Sequence, residues 1–320
     1  MKLVRPLLVV AVILGAIFFC GRYTAHHEGK IFMTLYMHLM PAQLVKPAGH
    51  EPGHETGGHE VAAHAEPLLE VPLPASLAAF DMNRSKEGVQ LVATNLQVFQ
   101  LAAVILIFVC FLGVPHHLRT GKGDPTSRMF AGFAEWIRDE MVVPVMGKEA
   151  ARKLLPLFLS LFFFIMFMNL LGLVPGGATA TASIFVTGGL ALITFGTMVI
   201  GGMVVQGPIA FWKNLVPHVP LALWPLMFAV ELVGLMVKPI ALMIRLFANM
   251  TGGHLAVLSL MGLVFFFGGM SPTVGWASSP IAVGLAVFIM IIESFVALLQ
   301  AYIFTTLSII FVQASLHPGH

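Results

Sequence analysis

The sequence predicts an all-α, polytopic membrane protein with about five transmembrane helices, the last two long, tilted and folded into an antiparallel hairpin. Three observations lead there. Of 320 residues, 58% are hydrophobic and 10% charged, with a mean hydropathy of +0.91, against roughly 25% charged in a soluble globular chain. Charge is also segregated: residues 1–153 hold 27 of the 32 Lys, Arg, Asp and Glu, and residues 154–320 hold five, namely Lys213, Glu231, Lys238, Arg245 and Glu293. Finally, two apolar stretches, 226–268 and 279–314, each exceed the about 20 residues of a perpendicular span. Two cysteines, Cys20 and Cys110, are too few for a disulfide framework. No basic patch interleaved with aromatics points to nucleic acid.

Residues 1–20 carry Lys2 and Arg5 ahead of the apolar run LLVVAVILGAIFF, which reads as a secretory signal-like segment or a short retained anchor. Residues 21–93 form a polar extension, and residues 21–95 contain seven of the thirteen histidines. In its tract AGHEPGHETGGHEVAAHAE, at 50–64 above all, His54 and His59 are separated by four residues rather than the three of a zinc protease. With glycines between them, the tract reads as a solvated, flexible segment, and no metal or cofactor is expected.

The membrane domain, 94–320, opens with a span at 94–114 ended by Pro115. The loop 115–153 carries seven basic residues, whereas 21–95 carries five basic and eight acidic ones. The Lys/Arg excess marks 115–153 as cytoplasmic and puts the histidine-rich extension outside. Within the loop, 127–146 is amphipathic and is expected to lie along the membrane surface. A second span, 154–174, closes at Pro175-Gly176-Gly177. A third, 180–205, has Gly189 and Gly196 seven apart on one face, a spacing that permits close helix packing. Lys213 and the prolines around it mark a cytoplasmic return. The two long stretches follow, turning at SPTVG, 271–275, and the C-terminus ends in the cytoplasm.

The polar residues left in the apolar half carry the functional reading. Glu231, Lys238 and Arg245 are spaced seven apart and fall along one helical stripe, with Asn249 four beyond Arg245 on the same face. Arginine keeps its proton, and one held in hydrocarbon costs several kcal/mol unless compensated, which makes it a functional residue by default. Glu231 stands roughly 21 Å away along a helix and cannot pair with it. Folding the two long helices about 271–275 sets His254 level with Glu293, and Arg245 level with Tyr302 and near Gln300. An imidazole facing a carboxylate at one depth reads as a proton relay.

The run KPIALMIRLFANMTGGH, the downstream IIESFVALLQAYIF and NLLGLVPG at 169–176 resemble subunit a of the rotary F-type ATP synthases. The resemblance covers roughly 90–315 and leaves 1–90 outside. It implies a stator role in which Arg245 is the essential arginine and Asn249 its companion. Glu231, Lys238, His254, Glu293 and Gln300 would occupy the polar channel positions. In some members the acid and the histidine exchange places, and here the histidine comes first. The resemblance further implies two proton half-channels, proton transport coupled to rotation of a c-ring, and partnership with the peripheral stalk subunit b and other ATP synthase subunits. The setting would be a bacterial inner membrane, and the chain a non-catalytic subunit. A stand-alone proton or cation antiporter is the alternative, although no internal repeat of the Arg–Asn or Glu–Gln pattern is visible. A membrane enzyme is disfavoured by the lack of a nucleophile elbow or phosphate loop.

Overall fold

The computed structural model describes residues 4–23, 70–72, 90–92, 94–174, 179–216, 220 and 223–317. The histidine tract 50–64 and most of the 21–93 extension lie outside the described residues. Five helices among those described are long and apolar enough to cross a membrane, as the hydropathy pattern predicts. One addition to the all-α expectation is a short antiparallel ribbon, β1 (Glu70–Pro72) with β2 (Gln90–Val92), in register Glu70 opposite Val92.

Helix α1 (Val4–Tyr23) lies against α2 (Asn95–Phe111), burying Ala16 and Cys20 with Leu96, Phe99, Ala103 and Leu106. The two run antiparallel: Cys20 Sγ lies 3.9 Å from the Asn95 carbonyl. At the other end Arg5 hydrogen-bonds Ser127 and stands 3.9 Å from Asp124. The segment that reads as signal-like or anchoring is therefore packed along the first span. Pro115 does not simply end that span. It sits in the first turn of a second short helix, α3 (Val114–Thr120), where its missing N–H costs no hydrogen bond.

Helix α4 (Pro125–Trp136) starts with proline in its first turn and passes through a π-helical turn, Ile137–Val142, into α5 (Val143–Leu173). The amphipathic pattern of 127–146 holds: Phe130, Ala131, Ile137, Met141, Val142 and Met146 all face the core. Gly147, at φ 74° and ψ 168°, breaks the direction of the chain between this segment and the span that follows. Only glycine adopts that region readily. Phe111, Phe130, Phe163 and Phe167 pack ring against ring where α2, α4 and α5 meet.

Helix α6 (Ile184–Gln206) corrects one expectation. Gly189 and Gly196 face open space, whereas Gly188 lies against Met243, Gly201 against Leu316, and Gly202 against Phe211 and the Ser315 carbonyl. The buried stripe is Thr187, Leu190, Ala191, Thr194, Met198 and Gly202, so a heptad-spaced glycine pair fell on the wrong side of it. After α7 (Pro208–Asn214) come α8 (Trp224–Met270) and α9 (Pro272–Leu316), 47 and 45 residues long. At 1.5 Å per residue each is close to 70 Å, more than twice a hydrocarbon core of about 30 Å, so both must run obliquely or partly in the membrane plane. Only Ser271, extended at φ −158°, separates them. The turn is tighter than the 271–275 cluster suggests, because Pro272 begins the next helix.

Candidate functional site

The hairpin register brings His254 and Glu293 together, as the sequence predicts. His254 Nε2 lies 3.7 Å from Glu293 Oε1, with side-chain exposures of 19% and 6%. A third group, which sequence reasoning missed, completes the cluster: Thr179 Oγ1 is 2.7 Å from His254 Nε2 and 3.5 Å from the Gly172 carbonyl. If the hydroxyl donates to the carbonyl, it accepts from the imidazole, which fixes a proton on Nε2. Gly253 gives the carboxylate its room, since a Cβ there would collide with Glu293 Oε1. One turn along α9, Asn169 Nδ2 donates to the Ala297 carbonyl at 3.2 Å and ties α5 to the same stretch of helix.

A series of buried polar atoms on α5, α8, α9 and the 3-10 turn between α5 and α6 makes no protein hydrogen bond among the described residues. They are Glu293 Oε1, Asn169 Oδ1, Thr181 Oγ1, Thr251 Oγ1, Gln300 Nε2 and Thr305 Oγ1. Buried polar groups are almost always satisfied, by protein or by ordered water, so these open valences are chemically distinctive. Farther along α9, Thr194 Oγ1 meets Ser308 Oγ at 3.1 Å and Ser315 Oγ donates to the Met198 carbonyl at 2.7 Å. Gln206 Nε2 donates to the Ser315 carbonyl at 2.8 Å. These bonds stitch α6 to α9.

Arg245 stands apart. It is exposed, on the side of α8 turned away from buried Leu242, Leu246 and Met250, and it makes no hydrogen bond or ion pair with any described residue. Neither Gln300, 3% exposed, nor half-buried Asn249 is bonded to it. Glu231 and Lys238 are half-buried on the same helix, and Lys238 Nζ sits 5.9 Å from the Phe311 ring centroid on α9. Tyr302, level with Arg245 by register, packs its ring 5.9 Å from that of Trp136. The predicted residues therefore divide into an interior pair with its neighbours, and a cation displayed on the outer face of the hairpin.

No cluster of three or more His, Cys, Asp or Glu among the described residues is placed to hold a metal ion. In the N-terminal tract, His50, Glu51 and His54 of HEPGH do have the zinc-protease order, which the spacing of His54 and His59 alone conceals. Pro52 and Gly53 between them are the poorest helix formers, and the tract lies outside the described residues.

Fold and site together define a polytopic helical membrane protein with a buried acid–imidazole pair and one unpaired arginine on a hairpin surface. Comparison of the sequence with known proteins points to one family. The sequence profile of the family described as ATP synthase A chain matches residues 97–313, and the chain belongs to that family. The ATP synthase subunit a of Myxococcus xanthus is 44% identical over 185 residues, 58% of this chain and 59% of that one. That of Pelodictyon phaeoclathratiforme is 36% identical over 293 residues, 88% of this chain and 82% of the relative. The ATP synthase subunit a 2 of Prosthecochloris aestuarii is 34% identical over 295 residues, 88% and 87% of the two chains. Alignments of this reach take in part of residues 1–90, which the motif resemblance left outside.

Proposed function

We propose that this chain is the stationary, non-catalytic membrane subunit of a rotary ATP synthase. It would form two proton half-channels and couple proton flow to rotation of a c-ring through Arg245. The observation that carries the reading is the unpaired Arg245 on the exposed hairpin face, set against the buried His254–Glu293 pair inside. A cation in hydrocarbon calls for an anionic partner, and a ring of subunits each bearing one membrane carboxylate supplies it. The most apolar stretches of α8 and α9 are only 17% and 22% buried within the chain, against 39% and 44% for the first two spans, which leaves the hairpin surface for the ring.

Protons enter from the side of the Ser271 turn. Thr179, His254 and Glu293 pass them inward, and the open valences of Asn169, Thr251 and Gln300 hold water along the way. A ring carboxylate is protonated from this path. After nearly a full turn it arrives at Arg245, whose charge favours the ionised form, and its proton leaves by the second half-channel past Lys238 and Glu231. Arg245 also repels any proton taking the direct route between the half-channels. Asn249 and Gln300 close on the guanidinium when the ring carboxylate is near. Each proton contributes about 2.3 kcal/mol per 100 mV, plus the pH difference. The setting is a bacterial inner membrane, with the N-terminal extension outside, the C-terminus in the cytoplasm and subunit b against the remaining helices.

ATP-driven proton pumping in inverted membrane vesicles tests this. Arg245→Ala is expected to abolish pumping while the ring still copurifies with the complex. Pumping that survives the substitution overturns the reading.

A further inference from the structure

A cavity of about 620 Å³ opens where the start of α5, the last turns of α6 and the end of α9 diverge. It is remote from the His254–Glu293 cluster and from Arg245, and the proton path uses none of its residues. Its walls differ from one end to the other. Lys148 and Lys153 of α5 and His317 after α9 stand at the mouth, and Glu149 is the one acid there. Neither lysine has an ion-pair partner among the described residues. Thr197, Gly201, Val204 and Val205 of α6 continue the wall on one helical face, over a rise of about 12 Å, and Leu154 and Leu316 close it from the other side.

Gly147, in its glycine-only conformation, turns the first residues of α5 aside and lines the opening. Gly201 offers no side chain to fill the groove. The result is a site with positive charge at one end and a narrow hydrocarbon wall at the other. A soluble anion needs no such wall. Basic pockets between membrane helices at the cytoplasmic surface recognise anionic lipid headgroups.

We propose that this cavity binds an anionic phospholipid of the leaflet bordering residues 115–153. The phosphodiester sits between Lys148 and Lys153, and one acyl chain lies along Gly201, Val204 and Val205. The site is independent of proton transfer and gives α5, α6 and α9 a common ligand at the end where they splay apart.

Photo-crosslinkable phosphatidylglycerol, incorporated into vesicles holding the intact complex, tests the site, with the phosphatidylcholine analogue as control. Adducts on this chain are expected within 148–153 and 197–205, favouring phosphatidylglycerol. Capture should fall about thirtyfold in the double variant Lys148→Gln and Lys153→Gln, the loss of two charge contacts. Gly201→Phe, which keeps both lysines and fills the groove, should lose capture as well. Ring copurification shows that each variant is assembled. Equal capture of the two lipids, or capture unchanged in assembled variants, overturns the proposal. So does loss of capture to millimolar inorganic phosphate, which would assign the mouth to a free anion, or crosslinking of residue 201 to another subunit.

Discussion

Thr179 illustrates how much of the proposed proton path rests on single atoms. Its hydroxyl is the group nearest the His254 ring nitrogen, at 2.7 Å, closer than Glu293. Thr179→Val keeps the shape and removes the hydrogen bond, worth about 0.5–1.5 kcal/mol. Initial rates of ATP-driven pumping are expected to fall roughly two- to tenfold with the complex intact, and Thr179→Ser is expected to restore most of the loss. Equal rates in the Val variant would remove Thr179 from the path. Gly253 acts by absence. A methyl group there would collide with the Glu293 carboxylate, and overpacking of this kind costs about 1–3 kcal/mol. Gly253→Ala should turn the carboxylate away from His254 and strongly impair pumping, measured alongside ring copurification. Normal pumping in that variant would show that Glu293 can be seated elsewhere at no functional cost.

At the scale of elements, the hairpin was the most legible part of the chain. Two long apolar stretches separated by one breaker cluster allow only an antiparallel pairing, and counting outward from the turn placed His254 opposite Glu293 at close range. Thr179 was not legible, because it sits beside the 3-10 turn Ala180–Ala182 in a Gly/Ala/Thr loop, where no periodicity assigns a direction to any side chain. The glycines of α6 failed for a different reason. Spacing identifies residues that share a face, but only the neighbouring helices decide which face is buried, and they chose Gly188, Gly201 and Gly202. The open position of Arg245 was half legible: its isolation from Glu231 followed from distance, its exposure did not. Gly147 joins the amphipathic segment to the second span in a conformation that costs any other residue about 1–3 kcal/mol. Gly147→Ala is therefore expected to lower the temperature at which the assembled complex loses pumping, without shifting the rate at low temperature. An unchanged thermal profile would mean that the bend is relaxed in the membrane.

For the whole molecule, orientation is the property from which the two half-channels take their sides. The seven basic residues of 115–153 and the direction of α1, with Arg5 against Ser127 and Asp124, are the basis for proposing that this end faces the cytoplasm. Cys20 and Cys110 are buried, which makes them quiet against a membrane-impermeant maleimide. Lys122→Cys is expected to label only in inverted vesicles, and Ala65→Cys only from the outer side of intact cells. The reverse pattern would exchange the entry and exit paths.

The hydrogen bonds that cross between helices of the membrane domain also determine how the protein carries force. Four strands of that fastening, Asn169 to Ala297, Thr194 to Ser308, Ser315 to Met198 and Gln206 to Ser315, end on α9. Helix α8 displays Arg245 and would feel the drag of a turning rotor, yet it is anchored to the rest chiefly through its long neighbour. Torque delivered to α8 is thus transmitted sideways into α9 and shared among several separated attachments down its length. The hairpin behaves as a beam clamped along one edge, stiff enough to hold a charge still while its surroundings move.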